Sequence, residues 1–127
     1  MQKKWLFVLL IVIFSLTGCQ RASQQDNTAD FEMSLFSQST QVGETVLVVT
    51  LTEADGSPIT NATLIVRGDM THAGMTPVLR DGITENTDGV YEIPFEWTMG
   101  GDWVVTVDAT LPDGRSVTKD FNMTIGE

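Results

Sequence analysis

Tyr91-Glu92-Ile93-Pro94-Phe95-Glu96 places a large apolar residue at every second position and a glutamate or proline between them. That is the period of a half-buried strand, since a helix would repeat its apolar positions every three or four residues. The same alternation recurs on both sides. Trp103, Val105 and Val107 follow at the same spacing, and Phe121, Met123 and Ile125 share one face of the last run, Val117 to Ile125. Upstream, Phe31, Met33 and Leu35 alternate with Glu32 and Ser34; Val46, Val48 and Val49 run into Leu51, and Leu64 and Val66 follow Asn61. Between these runs stand Asp55-Gly56-Ser57-Pro58, Asp81-Gly82, Asp88-Gly89, Gly100-Gly101 and Leu111-Pro112-Asp113-Gly114, which read as turns. Six or seven short strands with tight connections predict an all-β fold, an immunoglobulin-like antiparallel β-sandwich without a disulfide.

The chain of 127 residues divides into three parts. Lys3 and Lys4 precede the apolar run Trp5 to Leu16, which has the length of an export signal and falls short of the roughly 20 residues that span a bilayer. Leu16-Thr17-Gly18-Cys19 ends it and looks like the lipobox of bacterial lipoproteins, in which the cysteine thiol takes a diacylglyceryl group and the chain is cut just before it. Residues 1–18 are thus expected to be a lipoprotein signal peptide, and Cys19 the lipidated, acylated first residue of the mature protein. Two or more acyl chains hold a protein stably at a bilayer, so the domain is expected outside the cell membrane, anchored to it without crossing it. Residues 19–30 carry Gln, Ser, Asn and Asp and no large apolar side chain, so they read as a flexible tether reaching roughly 15–20 Å. Residues 31–127 form the domain.

Removing residues 1–18 takes away two lysines and no acid, leaving five Lys and Arg against 17 Asp and Glu, a formal charge of −12. Such a surface repels nucleic acid and anionic lipid heads, so no nucleic-acid partner is expected. Cys19 is the single cysteine, which leaves none for a disulfide, a thiolate metal site or a nucleophile. One histidine beside no serine elbow is poor equipment for catalysis, and the protein does not read as an enzyme. Asp69, Asp81, Glu85 and Asp88 lack the spacing of a calcium loop, and Asp81 and Asp88 read as parts of Asp-Gly turns.

One segment departs from strand economy. Asp69-Met70-Thr71-His72-Ala73-Gly74-Met75-Thr76-Pro77 puts the chain's one histidine between two of its methionines. Thioether sulfur and neutral imidazole suit copper(I) and match calcium or magnesium poorly. A lone Met-x-His-x-x-Met is a weak motif, and the structural reading stays open: Met70 and Met75 plug one end of the sandwich and His72 lies on the surface. If residues 77–84 supply a strand, successive antiparallel strands bring this loop and the turn Thr98 to Gly101 to the same end, making Met99 a fourth candidate donor. Packing between Trp97 and Trp103 explains Met99 as well. Met33 and Met123 read as core.

Asp55-Gly56-Ser57-Pro58-Ile59-Thr60-Asn61-Ala62, the Met-His-Met loop, Gly89-Val90-Tyr91 and Trp97-Thr98-Met99-Gly100-Gly101-Asp102-Trp103, in this order, resemble the YtkA-like domain, which is related to the FixH proteins. The resemblance runs from about Val42 to Ile125. It implies an exported or membrane-tethered immunoglobulin-like sandwich, and several such proteins are associated with copper handling and cytochrome oxidase assembly. Many members carry a longer methionine run or a Met-Met-His order at the loop, so the single histidine between two methionines is a departure.

Together these readings predict a membrane-anchored extracytoplasmic protein that binds copper through Met70, His72, Met75 and Met99. It would deliver or sequester copper(I) for a respiratory oxidase or another copper-handling envelope protein. The alternative is a metal-free accessory lipoprotein whose loops dock on an envelope partner. Gln20 after Cys19 supplies no aspartate-type retention signal, so in a host with an outer membrane the expectation leans toward onward export.

Overall fold

The computed structural model describes residues 31–83 and 87–127; the signal segment, Cys19, the tether and Glu85 lie outside them. Seven strands follow one another: β1 (Phe31–Ser37), β2 (Gly43–Glu53), β3 (Thr63–Met70), β4 (Val78–Ile83), β5 (Val90–Trp97), β6 (Gly101–Thr110) and β7 (Ser116–Ile125). They form two antiparallel sheets, ordered β1-β2-β5 and β4-β3-β6-β7. Packed face to face, these sheets make the immunoglobulin-like sandwich that the alternation predicts.

The inward rows are those of the sequence reading. Tyr91, Ile93, Phe95 and Trp97 of β5 are buried while Glu92, Pro94 and Glu96 face out, and Trp103, Val105 and Val107 of β6 meet them from the other sheet. In β2 the apolar run is resolved by register: Leu47, Val49 and Leu51 turn inward, leaving Val46 and Val48 half-buried on the outside. Phe95, Trp97 and Trp103 contact edge to face in a chain, with ring centroids 5.0 Å and 5.3 Å apart. Each indole N–H inside this core has an acceptor: Trp97 Nε1 donates to the Ser39 carbonyl (2.9 Å) and Trp103 Nε1 to the Met99 carbonyl (3.1 Å). The Tyr91 hydroxyl donates to the Ile59 carbonyl (2.9 Å) and accepts from the Ala62 N–H (3.0 Å), clamping the β2–β3 connection onto the core.

Asp81-Gly82 is not a turn. It lies inside β4, where Leu64 pairs with Ile83 but Val66 pairs with Arg80, so one extra β4 residue is accommodated as a bulge. An Asp-Gly pair satisfies a bulge as well as a hairpin, and only the pairing with β3 distinguishes them. Asp88-Gly89 does turn the chain: both residues have positive φ (52° and 78°), and Thr87 and Val90 exchange backbone hydrogen bonds of 3.0 and 3.1 Å around them.

The open corners of the sandwich are closed by cations reaching between sheets. From β4, Arg80 Nε donates to the Pro94 carbonyl of β5 (3.0 Å) with its guanidinium 5.9 Å from the Phe95 ring centre. From β7, Lys119 Nζ donates to the Met33 carbonyl of β1 (2.8 Å). Proline at an edge position sacrifices no ladder bond, and a capped carbonyl beside it discourages pairing with another strand. Arg115, after the β6–β7 turn, grips Glu53 of β2 through both carboxylate oxygens (2.7 and 3.1 Å) and also binds Asp113 (2.8 Å).

Candidate functional site

β3 pairs with β6 until Met70 stands opposite Trp103, and Thr71 extends the ladder by one bond, its N–H donating to the Asp102 carbonyl at 3.0 Å. The chain then leaves the sheet through residues 72–77 and re-enters as β4, where Val78 pairs with Gly68. Trp97 pairs with Gly43 and Gly101 with Ile125, so the β5–β6 turn, the β1–β2 loop and the C-terminal residues all gather at this same end. The parity expected from the sequence therefore holds: the Met-His-Met loop and the turn Thr98 to Gly101 share one end of the sandwich.

Within that end the four candidate donors occupy different environments. Met70 continues the inward row of Leu64, Val66 and Gly68 and is 9% exposed. Its side chain reaches the β5–β6 turn, with Cε 3.1 Å from the position a Cβ on Gly101 would take. Met99 is 47% exposed; its carbonyl is fixed by Trp103 Nε1 while its side chain stands out of the core. Packing between the two tryptophans does not describe it, because those rings touch each other directly. Met75 is 38% exposed, and His72 is exposed with no hydrogen bond among the described residues. Met70 and the turn carrying Met99 are thus brought into contact, and His72 and Met75 lie on the adjoining loop at the same end. Met33 is core and Met123 packs against it.

Two carboxylates at this end are engaged elsewhere, while Glu127, beside Gly100, is exposed. Asp69 pairs with Arg67 at 2.7 Å, and Asp102 accepts from Thr124 Oγ1 at 2.8 Å. Among the described residues no group of three or more His, Cys, Asp and Glu side chains is placed to hold an ion. The thioethers and the imidazole at this end match copper(I) in softness and do not match a hard oxygen-seeking cation. The residues that order the end, Trp103 and Gly101, were visible in the sequence only as scaffold; their role depends on the Met70–Trp103 register.

The molecule is an immunoglobulin-like sandwich that presents methionines and a histidine at one end. The YtkA-like family model matches residues 23–108, beginning earlier and ending sooner than the resemblance read from the sequence, and the chain belongs to that family. No curated protein sequence matches it. Among solved structures it is similar to the soluble domain of PmoD from Methylocystis sp., with 12% identity over 76% of this chain and 90% of that one and a TM-score of 0.45. It is also similar to murine CRIg, with 15% identity over 75% and 97% of the two chains and a TM-score of 0.43.

Proposed function

We propose that this protein is a membrane-anchored extracytoplasmic copper handler that takes copper(I) as cargo at the Met70, His72, Met75 and Met99 end. It delivers the ion to, or sequesters it from, a respiratory oxidase or another copper-handling envelope protein. The observation that carries the reading is the register of Met70 opposite Trp103, whose indole holds the Met99 carbonyl, so that Met70 packs against the turn carrying Met99 at the same end as the Met-His loop. Met75 and Met99 leave their thioethers accessible at the end where Met70 is buried, so sulfur at that end is open to an ion from solvent. Membership of the YtkA-like family and the copper association which that resemblance implies support the same reading.

The anchor fits this geometry. Phe31 pairs with Glu53 at the end opposite to Gly43 and Trp97, so a chain arriving from Cys19 enters the sandwich at the far end from the methionines. Seven strand residues at roughly 3.4 Å each put about 20–25 Å between them. With lipid on Cys19, the methionine end is the end of the domain farther from the point where the tether joins it, which leaves it free to meet a partner. Cys19→Ala is expected to leave uncut precursor or to release the domain from membranes; detergent phase partitioning of wild-type chain into the aqueous phase would refute the anchor.

Copper(I) titration against a competing chelator tests the site. Met75→Leu and Met99→Leu remove sulfur at exposed positions, so each should weaken binding roughly ten-fold or more while the melting temperature stays unchanged. Met70→Leu should weaken binding with a stability loss under about 1.5 kcal/mol. His72→Ala should weaken copper(I) and abolish copper(II) binding. Wild-type affinity in all four variants, or no binding by the wild type, would remove copper from the reading. A metal-free interaction module would then take its place, a role favoured by the exposed Phe36 side chain on the opposite sheet.

A further inference from the structure

The two outer faces of the sandwich treat their acids differently. On the four-stranded sheet each aspartate of the β6–β7 face has a cross-strand threonine: Thr106 Oγ1 donates to Asp120 (2.7 Å), Thr124 Oγ1 to Asp102 (2.8 Å) and Thr118 Oγ1 to Asp108. Arg67 pairs with Asp69 on the same sheet. On the three-stranded sheet Glu32, Glu44, Glu92 and Glu96 are all exposed, and among the described residues none has an ion pair or a side-chain hydrogen bond. Glu44 and Glu96 stand directly opposite each other across the β2–β5 ladder. Like charges in that position repel.

These glutamates border an apolar strip. Phe36, 64% exposed, pairs with Val48, which pairs in turn with Glu92; one row away Val46 faces Pro94, and the next row is the Glu44–Glu96 pair. A groove of about 600 Å³ runs over Val46 and Pro94, walled by Glu44, Glu96 and Gln38. Arg80 also borders it and adds one positive charge, but its guanidinium donates to the Pro94 and Leu79 carbonyls and forms no ion pair with either glutamate. The loop residues Gln38 and Ser39 place the groove on the half of the sheet nearest the methionine end.

We propose that the outer face of β1-β2-β5 is a docking surface for a partner protein segment with an apolar centre flanked by lysine or arginine. An aromatic side chain left in water is offset by burial against an apolar partner, and two opposed carboxylates that share at most one nearby cation and pair with none gain from cations supplied from outside. A second copy of this chain would bring the same four glutamates against each other, and an anionic membrane would meet them with its own charge. A cationic segment on this face lies beside the end that carries Met99, where a partner receiving cargo would need to be. The inference does not rest on the copper reading and is tested on metal-free protein.

The probe is the peptide Lys-Lys-Leu-Val-Phe-Lys-Lys, titrated into the ¹⁵N-labelled full chain held in neutral detergent micelles without copper. Backbone amide shifts are expected at Phe36, Glu44, Val46, Val48 and Glu96, with β6 and β7 unmoved. Glu-Glu-Leu-Val-Phe-Glu-Glu should not bind, and Lys-Lys-Ser-Gly-Ser-Lys-Lys should bind about ten-fold more weakly. The double variant E44Q/E96Q, which relieves repulsion and so retains the fold, should weaken the first peptide about five-fold or more. Shifts spread over both faces, equal binding of the serine-glycine peptide, or wild-type affinity in E44Q/E96Q would overturn the proposal. Shifts on this face that grow with protein concentration without peptide, or with added anionic vesicles, would overturn it in favour of self-association or lipid.

Discussion

Alanine at Gly68 probes the contact between the two sheets just below the methionine end. A Cβ there would lie 2.7 Å from Phe95 Cζ and 3.4 Å from both Phe95 Cε1 and Trp103 Cε3. The ring has no room to swing aside, because Phe95 is 2% exposed, Trp97 stands edge-on at 5.0 Å and the Arg80 guanidinium lies over it. Overpacking of such a site costs about 1–3 kcal/mol. Against it stands about 0.4–1 kcal/mol gained because alanine restricts the unfolded chain, a gain available here since Gly68 has no positive φ. Overpacking is the larger effect, so Gly68→Ala should destabilise by about 1–2 kcal/mol. For a domain of this size that lowers Tm by roughly 5–15 °C. Urea and thermal melts followed by tryptophan fluorescence would measure it. In a Phe95→Leu background the aromatic edge is gone, and the same glycine change should cost little or stabilise. An unchanged or raised Tm for Gly68→Ala in the wild-type background would show that Phe95 does not seat on Gly68 as described.

Tyr91→Phe removes the hydroxyl that serves both the Ile59 carbonyl and the Ala62 N–H in a buried position, so it should cost about 1–3 kcal/mol in a denaturant melt. Loss no greater than that of an exposed hydroxyl would contradict the clamp. Acid should also weaken the fold. The Arg115 side chain holds the Glu53 carboxyl below its ordinary range, the Arg115 N–H and guanidinium do the same for Asp113, and the Ser57 hydroxyl and N–H do so for Asp55. These groups bind protons more tightly in the unfolded chain, so their contribution is complete above about pH 4–5 and is lost as pH falls through the lower folded values. Arg115→Gln should flatten that decline in Tm between about pH 5 and 2, and an equally steep decline in the variant would place its origin elsewhere.

The architecture was legible because strands repeat every two residues, and in this chain the inward row is almost purely apolar while the outward row mixes charged residues and Thr with a few apolar side chains such as Phe36 and Val48. What the alternation could not assign was anything set by pairing. Asp81-Gly82 carries the same local chemistry as Asp88-Gly89, yet one is a bulge and the other a turn, because β4 finds a partner in β3 on both sides of the pair. Glu44 and Glu96 are 52 positions apart and become neighbours only through the β2–β5 register. The cross-sheet bonds of Arg80 and Lys119 are invisible for the same reason: each side chain reads as a solvated charge until the edge carbonyl it reaches is known.

The candidate site divides along the same line. Met70 follows Leu64, Val66 and Gly68 at even spacing, so its burial could be read directly from the strand period. Met99 obeys the same parity with Phe95 and Trp97 and by that rule should point inward. It does not, because β5 ends at Trp97 and the next residues belong to the turn. Trp103, arriving from the far side of that turn, takes the Met99 carbonyl as its acceptor, and with the backbone held there the side chain is left half in water. An indole N–H buried in the core must find a partner, and this one finds it in the peptide of the residue whose sulfur is proposed to meet copper. Trp103 is therefore both the centre of the inter-sheet packing and the residue that keeps a thioether at the surface, which ties the stability of this end of the sandwich to the presentation of Met99.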